Sequence, residues 1–460
     1  MIRDILLNTN KDDIAAVASG GGSSAIAVIR CSGDEVIEKT EKIFTPAVEG
    51  VKLTNKKGFT QAYGHIYEGD KLIDEVIISV YRAPHSFTGE NSVEISCHGS
   101  VFIQRKIMEL LSKVGIRPAE AGEFTMRAYA NGKFDLAQAE AVADLIDAST
   151  EALHTVAVRH LRGNYSKKIK LLRDEFINFA SLLELELDFS EEEVEFADRT
   201  QFLSLLDKIE TEIKNLLDSY KLGRVLKSGI PVAIVGKPNV GKSTILNLLL
   251  DEEKAIVSEI PGTTRDVIED KVNIGGYLFR FIDTAGIRKS ENEIEKLGIE
   301  RTFAKIEEAS VILYITDNKG FDKEDKKRIA EMEKAGKKPV MVMNKIDLQE
   351  DLAPADTKDY LCISAKKRIN TKALETALLD FVESFRLQDR NIVTEARHSE
   401  ALRKTLNDLQ SIRTGFEEDL PTDLIAIDVR NAMQNLGEIT GEITSGDLLK
   451  NIFSKFCIGK

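Results

Sequence analysis

The chain has 460 residues, 42% of them hydrophobic and 30% charged, which is enough apolar sequence for several buried cores and about three domains. Its net charge of −13 excludes a generally basic nucleic-acid-binding protein, though not a local basic patch. Cys31, Cys97, Cys362 and Cys457 lie far apart with no CxxC pair, which argues against a disulfide framework or structural zinc site and points to reduced cytoplasmic thiols.

The opening "MIRDILLNTNKDD" carries acidic residues and no long apolar core, so it is expected to be neither a secretory signal nor a transit peptide. No stretch approaches the roughly 20 apolar residues that span a bilayer. Residues 1–121 read as a mixed, strand-rich α+β domain. "AIAVIR" (Ala25–Arg30), "DEVIISVYRAP" (Asp74–Pro84) and "NSVEISCHG" (Asn91–Gly99) are β-branched runs bounded by Gly, Pro or Asn. A helix is expected over Phe102–Gly115, closed by its glycine. Cys97 and His98 are neighbours on a strand, so their side chains point to opposite faces and read as structural.

From Phe134 the apolar residues recur at three- and four-residue spacing, predicting helices through "FDLAQAEAVADLIDASTEALHTVAVRHLRG", "LLRDEFINFASLLELELDF" and "TQFLSLLDKIETEIKNLLDSYKLG". Between the last two, Ser190 and Glu193 form a capping box, so the acidic run "SEEEVEF" reads as a solvated helix start rather than a metal site. At Ile230 the texture changes to near-continuous apolar strands alternating with helices: "IPVAIVG", "LFRFIDTAG", "VILYIT", "PVMVMN" and "LCISA". Such strands belong to an α/β domain covered on both faces. After Arg386 the pattern returns to helix, so the simplest architecture is a discontinuous α-helical domain with the α/β domain inserted.

"GKPNVGKS" (Gly236–Ser243) sits between a predicted strand and a predicted helix, the context a P-loop requires. Backbone N–H groups of Asn239, Val240 and Gly241 would close on phosphate oxygens, with Lys242 reaching the β- and γ-phosphates and Ser243, beside Thr244, ligating Mg²⁺. "GTTRD" lies where a switch loop belongs and supplies Thr264 as a second Mg²⁺ ligand. Asp283, Thr284, Ala285 and Gly286 ("DTAG") end a strand, with Asp283 in the Mg²⁺ shell and the Gly286 N–H near the γ-phosphate. Asn344, Lys345 and Asp347 ("NKID") end another. The Asp347 carboxylate can accept from N1–H and the exocyclic amine of guanine, a donor pair adenine lacks, so GTP is selected. Ser364, Ala365 and Lys366 ("SAK") would close over the base. At all five motifs this part resembles the Ras-like P-loop GTPases. It departs from them at Ile287, where many carry a water-orienting Gln. Glu291, Glu293, Glu295 and Glu300 downstream are candidates for that role.

The whole chain resembles one family, the tRNA-modification GTPases MnmE (also TrmE). The resemblance rests on "GKPNVGKST", "PGTTRD", "DTAGIR" followed by "EIEKLGIERT", "PAEAGEFTMRAYANGKFDLAQAEAVADLI" and the terminal "FCIGK". It implies a folate-binding, dimer-forming domain at 1–121, a helical domain at 122–227 and 387–460, and a GTPase domain at 228–386. It further implies a cytoplasmic homodimer, without membrane attachment, that joins the FAD-dependent protein MnmG in a heterotetramer or larger complex. Together they would install an aminomethyl or carboxymethylaminomethyl group at C5 of a tRNA wobble uridine. The carbon would come from 5,10-methylenetetrahydrofolate or 5-formyltetrahydrofolate.

The resemblance also assigns a K⁺ ion beside the phosphates to Asn239, Ser258, Ile260 and Thr263, within the loop that also holds Glu259, Pro261 and Gly262. It selects Glu295 to position the attacking water. It assigns folate to Arg30, Glu94 and Lys133, with Lys460 nearby. The alternative reading of the same residues is a strand-edge ion pair for Arg30 and Glu94 and a solvated loop lysine for Lys133. The tail "CIGK" fits prenylation poorly, and the resemblance returns it to the folate site, across the dimer. Cys457 is then a catalytic nucleophile or a packing residue. A ribosome-assembly or regulatory GTPase acting as a binding switch is the rival reading, but no KH-type RNA module is evident.

Overall fold

The computed structural model describes residues 12–20, 22–188, 199–254, 271–282, 307–348, 360–383, 391–443, 446–454, 456 and 459. The capping box at Ser190 and Glu193 lies outside them. The chain divides into two compact units. One comprises Met1–Asp147, Ala157–Thr211 and Glu400–Lys460, the other Ala148–Val156 and Glu212–Ser399. The fold is multidomain, with an α+β N-terminal region, helices from separated parts of the chain, and an α/β P-loop sheet.

In the first unit a seven-stranded sheet has the order β3-β4-β5-β6-β2-β1-β7. Its strands are β1 (Ile14–Val17), β2 (Ile26–Ser32), β3 (Phe44–Pro46), β4 (Thr60–Glu68), β5 (Lys71–Tyr81), β6 (Ser92–His98) and β7 (Arg117–Pro118). All neighbours are antiparallel except β1 and β7. Period-two alternation buries Val76, Ile78 and Val80 of β5 with Ile29, Cys31, Val93 and Ile95. The opposite face of β4–β5 exposes cross-strand apolar pairs, Tyr63 with Ile77 and Tyr67 with Leu72. Helix α1 (Val36–Glu41) and helix α2 (Val101–Lys113) cover the buried face; α2 contributes Ile107, Leu110 and Leu111. Gly115, at φ +87°, follows α2 as its expected terminator.

As expected, Cys97 and His98 face opposite sides: Cys97 is buried, while the His98 side chain is 68% exposed and pairs with the buried Asp74 at 2.7 Å. Helix α3 (Glu123–Ala130), α4 (Leu136–Asp147), α5 (Glu151–Leu161) and α6 (Asn164–Asp188) come next. Here the structure adds what periodicity missed. Helix α3 is buried nearly throughout, and its Glu123 and Arg127 belong to an ion cluster. Glu123 accepts from Arg117 at 2.7 and 2.9 Å, from Arg127 at 2.9 Å and from the Glu120 N–H at 2.9 Å. Arg127 also pairs with Glu90 at 3.1 Å. Burial alone would raise the Glu123 carboxyl. The hydrogen bond from Arg117, the Glu120 N–H and Arg127 together carry it below its ordinary value.

Helix α7 (Arg199–Ser228) leads to the six-stranded sheet of the second unit, ordered β13-β12-β11-β8-β10-β9. These strands are β8 (Ile230–Gly236), β9 (Lys271–Ile274), β10 (Tyr277–Phe281), β11 (Val311–Thr316), β12 (Val340–Met343) and β13 (Leu361–Cys362). β8 explains its unbroken apolar run. Ile230, Val232 and Ile234 enter one core, whereas Ala233 and Val235 enter another on the opposite face. All neighbours are parallel except β9–β10, an edge hairpin turned by Gly275 and Gly276, both at positive φ. The apolar-run criterion did not anticipate β9, because a four-residue edge strand with Lys271 and Asn273 is half polar.

Helices α8 (Lys242–Lys254), α9 (Lys323–Lys334) and α10 (Thr371–Glu383) alternate with these strands. Helices α11 (Ala396–Glu417), α12 (Thr422–Thr440) and α13 (Gly446–Phe453) complete the chain, α12 packing along α6 in the first unit. Among the described residues no helix is long and apolar enough to cross a membrane.

Candidate functional site

The C-terminal ends of β8, β11, β12 and β13 bring the phosphate and base motifs together, where ligands bind in open α/β sheets. The P-loop runs from Gly236 into the start of α8. Gly236 (φ +154°), Asn239 (φ +65°) and Gly241 (φ +100°) turn its backbone into a concave nest. Two of these positions admit no side chain: a Cβ on Gly236 would stand 2.2 Å from the Ile315 carbonyl, and one on Gly241 would stand 2.2 Å from Asn344 Nδ2. Val240 packs into the core, while Asn239, Ser243 and Thr244 are exposed at the mouth. The Lys242 ammonium lies over the loop, donating to the Gly236 carbonyl at 3.0 Å and the Lys237 carbonyl at 2.7 Å.

Asn344 is the structural hub of the base side. It is 3% exposed; its Nδ2 donates to the Val240 carbonyl at 2.9 Å, and its Oδ1 accepts from the Ala365 N–H at 3.1 Å. Its own N–H donates to the Thr316 carbonyl at 2.9 Å. One side chain therefore ties the P-loop to the "SAK" loop. Lys345, at φ +65°, reaches across to the Asn239 carbonyl. Asp347 is exposed, and its Oδ1 accepts from Ser364 Oγ at 2.6 Å. Ser364 Oγ also accepts from the Lys367 N–H at 3.2 Å, and Lys366 is exposed. The switch-loop candidates Ser258, Glu259, Ile260, Pro261, Gly262, Thr263 and Thr264 lie outside the described residues, as do Asp283, Thr284, Ala285, Gly286 and Glu295.

A second cluster forms on the N-terminal sheet. Arg30 and Glu94 are opposite each other on β2 and β6, with Arg30 Nε 2.9 Å from Glu94 Oε1. They are an ion pair on adjoining central strands, not at a sheet edge. Tyr81 Oη donates to the other Glu94 oxygen at 3.2 Å; burial first, then Glu94, raises its phenol pKa. The Arg30 guanidinium sits 5.0 Å over the Phe87 ring, which contacts Phe134 at 5.8 Å. Lys133 is exposed and donates to the Pro84 carbonyl at 3.1 Å. Tyr81 and Phe87 had no linear signal, since the register of β5 and β6 and the loop after β5 bring them here. Arg30 Nη2 also stands 2.9 Å from the same Glu94 oxygen as Nε, so of the about four lone-pair sites of the carboxylate roughly one remains, on the oxygen that Tyr81 meets, for a further donor. Cys457 and Lys460 lie outside the described residues. Gly459 is described; it is buried at φ +97° against Val17 and Ala18 of the same chain.

Residues 13–133 match the family described as GTP-binding protein TrmE N-terminus, and residues 136–457 that described as MnmE helical domain. A tRNA modification GTPase MnmE of Flavobacterium psychrophilum is 49% identical over 459 residues, covering 98% of this chain and 99% of that protein. Its namesake in Flavobacterium johnsoniae is 50% identical over 465 residues, covering 98% and 100%. That of Bacteroides thetaiotaomicron is 47% identical over 467 residues, again covering 98% and 100%. A solved GTP-binding protein of Sulfolobus solfataricus in complex with GDP aligns over 46% of this chain and 67% of its own. Its TM-score is 0.24 at 18% identity, too low to bear on fold or function.

Proposed function

The chain belongs to the MnmE family of tRNA modification GTPases, and on that premise we propose that it hydrolyses GTP to GDP and phosphate in a wobble-uridine modification that consumes a folate one-carbon unit. The observation that carries the nucleotide part is Asn344 bridging the P-loop and the "SAK" loop, with Asp347 presented beside it. The P-loop residues suit a Mg²⁺–nucleotide: the nest excludes side chains, and Ser243 is exposed at the start of a 13-residue helix. Ser243 and Thr264 would hold Mg²⁺, with Asp283 in its shell. Asn239, Ser258, Ile260 and Thr263 would hold K⁺. A cation there supplies neutralisation of the charge developing on the transferred phosphoryl group. Exposure of Asn239 at the mouth supports that role. Glu295 would position the attacking water in place of the Gln that Ile287 replaces.

Hydrolysis is therefore expected to be faster in K⁺ than in Na⁺. Glu295→Ala should bind GTP normally and lose most turnover, on the order of 10²-fold or more, the scale of losing a side chain that acts on the attacking water. Equal rates in the two salts would remove K⁺ from the mechanism, and near-normal turnover of the variant would hand the water to another carboxylate.

Arg30, Glu94 and Lys133, with Lys460 from the tail, would hold 5,10-methylenetetrahydrofolate or 5-formyltetrahydrofolate. Glu94 has acceptor capacity for one donor of the pterin edge, and the cations suit the glutamyl carboxylates. The approach of Gly459 to β1 supports bringing the tail, and with it Cys457, to this sheet. Titration of the full chain with 5-formyltetrahydrofolate should saturate; a flat titration would dismiss the folate reading. The exposed Tyr63–Ile77 and Tyr67–Leu72 pairs support a homodimer, which a monomeric mass in solution would contradict. MnmG and tRNA are the proposed further partners, in the cytoplasm. The decisive experiment is nucleoside analysis of tRNA from cells lacking this protein: wobble uridines should lose their C5 substituent, and unaltered nucleosides would overturn the function.

A further inference from the structure

We propose that Lys237 is a positioning residue that anchors the P-loop to the N-terminus of α9 and thereby sets how long nucleotide stays bound. It rests on the reading that Gly236–Ser243 holds the phosphates. Lys237 follows the first glycine of the loop, and nothing in the phosphate chemistry requires a cation there. Its ammonium leaves the phosphate side and pairs with Asp322 and with Asp325, the latter at 3.3 Å.

The two acids are not a loose surface pair. Asp322 is the N-cap of α9: its Oδ1 accepts from the Glu324 N–H at 3.0 Å and the Asp325 N–H at 2.9 Å. Asp325 completes the capping box by accepting the Asp322 N–H at 3.1 Å, and it is 3% exposed. Its other oxygen accepts from the buried Tyr314 hydroxyl of β11 at 2.9 Å. The ammonium thus meets a carboxylate already fixed by a helix start and by a core tyrosine. The hydrogen bond to Asp322 raises the affinity of the Lys237 ammonium for its proton, and Lys237 in turn holds the Asp322 carboxyl well below the usual carboxylate range.

The backbone of the same residue faces the site. The Lys237 carbonyl is one of the two acceptors of the Lys242 ammonium. Side chain and carbonyl therefore couple a rigid helix terminus to the lysine expected to reach the phosphates. Releasing the side chain frees the loop segment that shapes the nest, and a less preorganised nest holds its anion more weakly. The loss falls on dissociation rather than encounter, because the ion pair does not face the entering ligand.

The test is the dissociation rate of a fluorescent GDP from the full-length chain, by displacement with excess GDP, beside melting temperature. Lys237→Ala should release GDP about five- to tenfold faster, the scale of a modest coupling between neighbouring sites. Lys237→Arg, which keeps a cation within reach of both acids, should restore most of the retention. Asp322→Asn keeps a competent helix cap while losing the charge, so it should also accelerate release. Combined with Lys237→Ala it should add little. Unchanged release in Lys237→Ala and Asp322→Asn would overturn the proposal, as would faster release that Arg fails to rescue. If the unmodified chain takes up no GDP, the phosphate-site reading fails instead, and that outcome is distinct from equal rates.

Discussion

Asp347→Asn is expected to lower affinity for GTP by about a hundredfold to ten-thousandfold and to raise affinity for xanthosine triphosphate. The carboxylate would accept two hydrogen bonds from guanine, each worth about 1.5–3 kcal/mol when the acceptor is charged, and each tenfold in affinity is about 1.4 kcal/mol. Asn presents one acceptor and one donor, which opposes the two donors of guanine but matches the N1–H and C2 carbonyl of xanthine. The change should leave the fold intact. Asp347 is exposed, and its contact from Ser364 Oγ needs only an oxygen acceptor, which Asn retains. Equilibrium titration with both nucleotides reads the result, and unchanged GTP affinity would move base recognition away from this residue.

Glu123→Gln should be the most destabilising single conservative change in the N-terminal unit. It leaves the size of the side chain unchanged but leaves Arg127, 4% exposed, short of a charge partner. Removing one member of such a buried cluster costs about 3–5 kcal/mol. The sign with pH follows from the depressed Glu123 carboxyl. Its stabilising effect is complete above the ordinary value of 4.5 and is lost as pH falls through the lower folded value. The gap between parent and variant should therefore be wide at neutral pH, begin to narrow as pH falls below 4.5, and close only below the lower folded value, where the parent carboxyl takes up a proton and resembles the amide. Amide hydrogen exchange over α3 measures this locally, without requiring a multidomain chain to unfold in one step. A gap that persists unchanged into acid would assign the loss to packing rather than to charge.

Both residues show how far sequence reading extends. Asp347 was legible because its chemistry is carried by four consecutive residues at a strand end, and the strand was legible from its apolar run. Glu123 was not, because the segment "GEFTMRAYANGK" mixes charge with apolar residues and shows no clean amphipathic period. Its burial is decided by contacts remote in sequence, such as Gly122, where an added Cβ would stand 2.4 Å from the Phe453 carbonyl. The edge strand β9 escaped for a related reason, since an edge position tolerates polar residues that a central strand does not.

By itself, the sequence determined the α/β alternation, the order of the nucleotide motifs and the family. Each is local: glycines where the backbone takes positive φ, apolar runs where both faces are covered, a carboxylate at a strand end. Only the tertiary structure decided which side chains meet. Asn344 joins the P-loop to the "SAK" loop, Tyr81 stands behind the Arg30–Glu94 pair, and Lys237 is drawn to Asp322 and Asp325. These partners are separated by 13 to 104 residues in the chain. Their meeting depends on strand register and on where a helix begins, and a pattern of polar and apolar positions narrows those choices without selecting the partner atoms.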